Sequence, residues 1–263
     1  MKILLTNDDG IRAEGLKHLW KALSGHAEIT IVAPSWEKSG SGLSTTLTKP
    51  LYPERIDWEE NTVAWSLNGT PTDCVKMAMS VLLKDNPPDL IVSGINKGSN
   101  AGRTVLYSGT VGGIIEGVHQ NVPGIAFSSY DFHNPPYEGA EPFIFPIVKH
   151  FYDHSLPEGS FLNVNFPSRE YLPYKEAKMA KQGKGYWMEN PEERLHPEGR
   201  SYYWMGGKWN GFDEHELSDV SLLERGYITA VPIHVNDITD HELYDKHEDL
   251  FGKLFKDDSS ESE

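Results

Sequence analysis

The chain carries one cysteine, Cys74, in 263 residues. A lone thiol excludes an internal disulfide framework and any metal centre that needs several thiolates. Positive charge is also scarce: 24 Lys+Arg stand against 39 Asp+Glu, a formal net of −15. That balance argues against general binding to nucleic-acid polymers or anionic membranes, which call for a basic face. It does not exclude a small phosphorylated ligand, because a bound cation reverses the local sign. No apolar run approaches the ~18 residues a membrane span requires. The start turns polar at Asn7-Asp8-Asp9, too early for a secretory apolar region, so the expected compartment is the cytoplasm. The eleven histidines show no His-Glu-x-x-His spacing, and no Gly-x-Gly-x-x-Gly follows the first apolar run.

What is present suits a globular enzyme-sized chain. Hydrophobic residues make up 38% and charged residues 24%, the range of a folded domain rather than a disordered one. Short apolar runs at Lys2–Thr6, Glu28–Pro34, Thr62–Leu67, Asp89–Ser93, Gly124–Ser128 and Phe161–Asn165 read as strands. Helical spacing separates them: Leu16, Leu19, Trp20 and Leu23; the stretch from Pro71 to about Leu83; Val111, Ile114, Ile115 and Val118; and the region 141–153. Thr70-Pro71-Thr72-Asp73 is a helix start, with a hydroxyl cap, proline at the first position and an acid at the third. This alternation predicts an α/β fold, a Rossmann-like parallel-sheet core with helices on both faces.

The texture changes after residue 168. Trp187, Trp204 and Trp209 sit among glycines and charges, and Gly226–Val235 reads as an exposed strand. The expected organisation is an α/β catalytic core over 1–168, a β-rich hairpin annex and return strand over 169–235, and a C-terminal arm over 236–263. In that arm Ile238, Leu243, Leu250, Phe251 and Leu254 have roughly helical spacing, before a solvated tail at 256–263. From Asp237 onward ten acids face three bases, so nearly half of the charge excess lies in the last tenth of the chain.

In parallel sheets the ligand crevice lies beyond the carboxyl ends of the strands. Asp8-Asp9 follows the first strand directly. Adjacent carboxylates that are taken out of water need a cation or hydrogen bonds, and oxygen donors suit a hard divalent ion. Asn-Asp-Asp-Gly is equally good turn chemistry in its own right. Three further loops reach the same edge: Ser39-Gly40-Ser41-Gly42, Asn96 to Asn100, and Tyr107-Ser108-Gly109-Thr110. A Ser-Gly-Thr helix start offers backbone N–H groups to an anion, and it also serves as an ordinary cap.

These blocks resemble the stationary-phase survival protein SurE nucleotidases. The matching stretches are Met1–Gly10, Ala33-Pro34 with Ser39-Gly40, Asn68–Val75, Val92–Asn100, and Tyr107–Gly112 with Glu116-Gly117. They keep family order over most of residues 1–130. The resemblance implies a divalent-metal-dependent phosphomonoesterase acting on nucleoside 5′- and 3′-monophosphates. It implies one Mg²⁺ or Mn²⁺ per subunit, held by Asp8, Asp9, Ser39 and Asn96. The expected catalytic residues are Asp8 and Asp9, with attack on phosphorus by a water that the ion activates. Gly40, Ser41, Asn100, Ser108, Gly109 and Thr110 are the expected phosphate contacts. The resemblance also implies a homodimer or homotetramer that exchanges C-terminal elements. Ser35 and Trp36 depart from the family pattern, where an acid and a base are common.

Two other classes compete. A receiver-type, Mg²⁺-binding signalling domain also places paired acids after its first strand, without turnover. It needs an acceptor aspartate at the end of a central strand, where this chain has Ser93-Gly94. A dinucleotide-binding domain needs the glycine motif that Asn7-Asp8-Asp9-Gly10 replaces.

Overall fold

The computed structural model describes residues 1–174 and 176–254. The acidic tail expected at 256–263 lies outside the described residues. A nine-stranded sheet runs through the molecule. Its strands are β1 (Lys2–Thr6), β2 (Glu28–Pro34), β3 (Pro53–Ile56), β4 (Val63–Leu67), β5 (Leu90–Asn96), β6 (Gly124–Ser129), β7 (Ser160–Phe166), β8 (Ala177–Met179) and, late in the chain, Ile228–His234. The segment between carries four short strands, β9 (Tyr186–Met188), β10 (Glu192–Leu195), β11 (Ser201–Trp204) and β12 (Lys208–Asn210), so the late strand is β13.

The order across the sheet is β3-β4-β2-β1-β5-β6-β7-β13-β8. From β4 to β7 every pairing is parallel. The sequence order runs outward one way through β1, β2 and β4, then the other way through β5, β6 and β7. The reversal therefore lies between β1 and β5, where doubly wound sheets open a ligand crevice.

Side chains alternate between two apolar layers, as the two-residue period of a strand requires. Ile3, Leu5, Ile29, Ile31, Leu90 and Val92 face one layer, with α1 (Glu14–Leu23) and, further along the chain, the helix Tyr137–Asp153. Leu4, Val32 and Ile91 face the other, with α2 (Pro71–Met77) and α3 (Gly109–His119), which makes the Tyr137 helix α4. Burial on both faces explains why the strands read as nearly unbroken apolar runs.

Local chemistry sets the helix starts. Thr70 accepts from Asp73 N at 3.1 Å while Asp73 accepts from Thr70 N at 2.9 Å, a reciprocal capping box. Asp73 also accepts from Thr46 N at 2.9 Å and Thr46 Oγ1 at 2.7 Å, which ties the far end of the 35–49 loop to the same helix start. The helix from Pro71 is not uniform: α-helical bonding stops at Met77 and a π-helical turn covers Ala78–Leu82. α4 starts earlier than its apolar spacing suggests, at Tyr137, and carries Pro142 and Pro146 inside it.

The late strand corrects one expectation. Gly226–Val235 reads as exposed, yet Ile228, Thr229, Ala230 and Val231 are buried. β13 lies between β7, to which it is antiparallel, and β8. Its polar outer end, with Pro232 and His234, hides the buried half in the sequence. β9 to β12 form nested antiparallel pairs, β9 with β12 and β10 with β11. Here Trp187 meets Trp209 edge-on at 5.5 Å while Trp204 remains exposed. After α5 (Asp219–Leu223), the C-terminal helix α6 spans His241–Lys253, capped by Asp240. Among the described residues no helix is long and apolar enough to cross a membrane.

One glycine fixes how closely α3 approaches the loop after β2. A Cβ at Gly112 would lie 2.1 Å from Gly42 O, a clash with main chain that side-chain motion cannot relieve. Gly112→Ala is expected to cost about 1–3 kcal/mol. It should also lower the activity of the protein that does fold, because the displaced loop borders Asp8. Thermal unfolding and turnover measured on the same preparation check both effects.

Candidate active site

β1 ends at Thr6, and Asn7 closes the turn that follows. Asn7 Oδ1 accepts from Gly10 N at 3.2 Å, and Asn7 Nδ2 donates to Gly10 O at 3.0 Å. Gly10 takes φ +103°, a region that glycine enters without steric cost. Ile11 N donates to Pro34 O at 2.8 Å, tying the turn to the end of β2. Asn-Asp-Asp-Gly is thus a true turn, and it carries two buried carboxylates at the strand-order reversal.

Asp8 is 3% exposed and its Oδ1 accepts a hydrogen bond from Thr110 Oγ1. A Cβ at Gly109 would lie 2.8 Å from Asp8 Cβ and 3.0 Å from Asp8 Oδ2. The first turn of α3 therefore rests directly on the carboxylate, at a distance only glycine permits. Ser108 caps that helix, its Oγ accepting from Val111 N at 3.2 Å. Burial pushes the Asp8 carboxyl up to about 6; the Thr110 bond opposes the rise and the charge of Asp9 adds to it.

Asp9 is held from the other strand. Its Oδ2 accepts from Lys97 N at 3.2 Å, just beyond β5. Its Oδ1 is buried without a hydrogen bond, with Lys97 Nζ 3.6 Å away. Burial raises this carboxyl too, against the pull of the Lys97 backbone and charge. Lys97 Nζ also donates to Glu37 Oε2 at 2.8 Å, and Ser39 Oγ donates to Glu37 Oε1 at 2.8 Å. These bonds hold the Glu37 carboxyl below its ordinary value and, with Asp9, raise the Lys97 ammonium.

The loop after β2 folds over the same point. Lys38 N donates to Asp8 O at 2.6 Å, Ser41 N to Lys38 O at 3.1 Å, and Gly42 N to Tyr107 O at 3.1 Å. Ser39 and Gly40 lie on its exposed side. Ser41 Oγ is buried without a hydrogen bond and lies 2.6 Å from the position a Cβ would take at Gly109. Asn96 Nδ2 donates to Gly98 O at 2.8 Å, which commits its donor end to the loop and leaves the oxygen end for another group. Asn100 is engaged inward: its Nδ2 donates to Ser128 Oγ at 2.8 Å, its N to Asn165 Oδ1 at 2.8 Å, and its O accepts from Asn163 Nδ2 at 2.9 Å.

The fold thus brings Asp8, Asp9, Ser41 and the Ser108–Thr110 helix start together. It links Ser39 to Asp9 through Glu37 and Lys97, and turns the Asn100 amide toward β6 and β7. Lys97, inside the singled-out loop from Asn96 to Asn100, and Glu37 are absent from the expected site residues. A lone cation in a loop that follows a strand, in a chain with paired acids after a neighbouring strand, is the signal that could have found Lys97. Among the described residues no group of three or more His, Cys, Asp or Glu side chains could hold a metal ion.

Fold and site together define a doubly wound α/β protein with an acidic crevice at the strand-order reversal, roofed by a helix N-terminus. Comparison with known proteins makes the class specific. The chain belongs to the SurE family: the model of the family described as Survival protein SurE matches residues 3–189. A curated relative from Protochlamydia amoebophila (strain UWE25), named 5′-nucleotidase SurE, is 52% identical over 241 residues, covering 91% of this chain and 92% of its own length. Another 5′-nucleotidase SurE, from Thermosipho africanus (strain TCF52B), is 43% identical over 235 residues, 89% of this chain and 92% of its own. The crystal structure of the SurE protein from Aquifex aeolicus superposes with a TM-score of 0.82 at 35% identity, covering 95% of this chain and all of that one.

The raised Asp8 carboxyl makes stability depend on pH with a definite sign. The folded protein keeps this proton up to about pH 6, whereas the unfolded chain releases it near 3.8. The stabilising contribution of the protonated group is fully present below 3.8 and lost as pH climbs through 6. At pH 7.5 the metal-free protein therefore carries a cost on the order of 3 kcal/mol at this residue. Asp8→Asn should raise the thermal midpoint of the metal-free protein at pH 7.5, with the gain shrinking toward pH 4. An equal gain at both pH values would show that charge is not its cause.

Proposed function

We propose that this chain is a divalent-metal-dependent phosphomonoesterase that hydrolyses nucleoside 5′- and 3′-monophosphates to nucleoside and phosphate. The observation that carries this reading is the buried Asp8–Asp9 pair, with Asp8 against the first turn of α3. The 5′-nucleotidase names of the relatives support the enzyme class. The residues present fit a divalent cation: two carboxylates, Ser39 Oγ and Asn96 Oδ1 would hold it, an all-oxygen set suited to Mg²⁺ or Mn²⁺. The orphaned Asp9 Oδ1 and the burial of two adjacent acids are the features such an ion would satisfy. When bound, the ion supplies charge neutralisation at the phosphate and lowers the pKa of water.

The chain's own groups do the rest. The N-terminus of α3 presents backbone N–H groups and the positive end of its dipole to the phosphoryl oxygens. Ser41 Oγ, buried and unpartnered, lies beside that turn as a further donor. Thr110 fixes Asp8 through Oδ1 and leaves Oδ2 as its outward oxygen. Asp9 would, through a carboxylate oxygen the ion leaves free, take a proton from the water that attacks phosphorus. The water oxygen bonds to phosphorus, the ester P–O bond breaks, and the nucleoside oxygen leaves with a proton taken from solvent water, while Asp9 returns its own proton to solvent.

Phosphate release from a panel of 5′- and 3′-nucleoside monophosphates, with Mg²⁺, Mn²⁺ or EDTA, tests the reading. Turnover should require the metal and fall about 10²–10⁴-fold in Asp9→Asn, the range for loss of a positioned base. Turnover unchanged in EDTA, or in Asp9→Asn, would remove metal and residue respectively from the mechanism.

We also read α6 as an arm that a second subunit covers, giving a homodimer or homotetramer in the cytoplasm. More than half of the surface of Leu243, Leu250 and Leu254 is exposed on it. Light scattering should give a mass of two or four chains, and a chain ending before His241 should give a smaller one.

A further inference from the structure

Lys97 sits between two acids of different kinds. Its Nζ is 2.8 Å from Glu37 Oε2, on a side chain 48% exposed, and 3.6 Å from Asp9 Oδ1, on a side chain 5% exposed. The tighter hold is therefore on the exposed partner, and the longer one is on the buried oxygen that no donor reaches. Glu37 is itself fixed by Ser39, and the centroid of the Phe132 ring lies 5.5 Å from the ammonium. The site thus contains its own monovalent cation, tethered beside the carboxylates rather than fully seated on them.

We infer that Lys97 is a resident counter-charge, restrained by Glu37, that sets how tightly the Asp8–Asp9 site takes a divalent cation. The inference rests on the metal-dependent reading above. Without the ion, Lys97 offsets part of the charge buried at Asp9. Were Asp8 and Asp9 to hold a divalent cation, Lys97 would be repelled by it, because the buried Asp9 side of the site screens their charges poorly. Lys97 must then yield toward Glu37, and the Phe132 face offers the displaced ammonium a second resting place. Glu37 lowers the cost of that retreat. The two partners consequently act on metal affinity with opposite signs, although each is removed from the same ion pair.

The full-length protein, stripped with EDTA and titrated with Mn²⁺ by calorimetry, tests this without reference to turnover. Lys97→Met should bind Mn²⁺ at least tenfold more tightly, and its metal-free thermal midpoint should fall. Glu37→Gln should bind at least threefold more weakly, because the untethered ammonium settles on Asp9. In the double variant the Glu37→Gln loss should largely vanish, and Lys97→Arg should stay near wild type. Glu37→Gln alters an exposed side chain, so it remains informative even if Lys97→Met folds poorly. A wild type that binds Mn²⁺ while Lys97→Met binds it no more tightly overturns the inference alone. Weaker binding in both single variants does the same, marking the pair as mere scaffolding. A wild type that takes up no Mn²⁺ overturns the metal reading and this inference together.

Discussion

Two neighbouring carboxylates are held out of water at the end of β1, and much of the surrounding architecture answers to that constraint. Unpaired buried charge is among the costliest things a fold can contain. Here each carboxylate is approached by a different part of the chain: Thr110 and the start of α3 at Asp8, the Lys97 backbone and ammonium at Asp9. Those parts come from strands that are neighbours in space and distant in sequence. The parallel sheet makes them meet, because its connections return every strand end to one edge. Gly109 and Gly112 then allow α3 to reach the carboxylate and the loop after β2 at once.

Much of this was legible in the sequence, for identifiable reasons. Strands buried on both faces are apolar at most positions, so β1, β2 and β5 announce themselves, and the crevice rule converts their ends into a candidate site. Asn7-Asp8-Asp9-Gly10 was readable as turn or as ligand, and the structure shows that a single tetrapeptide does the turning with Asn7 and Gly10 while burying the acids. Other elements were hidden by competing signals. The first turn of α4, from Tyr137, lies ahead of its apolar spacing, while Pro142 and Pro146 sit inside the helix, where packing overrides propensity. Pro232 and His234 made the outer half of β13 look like a surface strand. Lys97 and Glu37 carry no periodicity at all; their pairing exists only because loops sixty residues apart are folded onto the same edge.

The base of the hairpin segment is joined to the site with similar economy. Asp219, fully buried, accepts from Gly102 N at 3.0 Å, Gly183 N at 2.8 Å and Val220 N at 2.8 Å. Glu214 accepts from Lys184 N and Gly185 N, and Arg103 N donates to Gly185 O, each at 2.8 Å. The tight turn Gly102–Tyr107 that delivers Ser108 to the head of α3 is thus seated on the segment from which β9 departs. Burial raises the Asp219 carboxyl, and its three backbone donors oppose the rise.

The position of β13 bears on how the chain is made. Every residue of the acidic crevice has left the ribosome once Thr110 has, whereas the partner that covers the free edge of β7 arrives only with Ile228–His234. Roughly 60 residues separate the end of β7 from that partner, about 3–12 s of synthesis at ordinary translation speeds. During that interval the nascent sheet presents an apolar strand with an open ladder, the geometry on which chains stick to one another. The chain therefore acquires its paired carboxylates early and its protection late, and the time between the two is when a holdase has most to offer it.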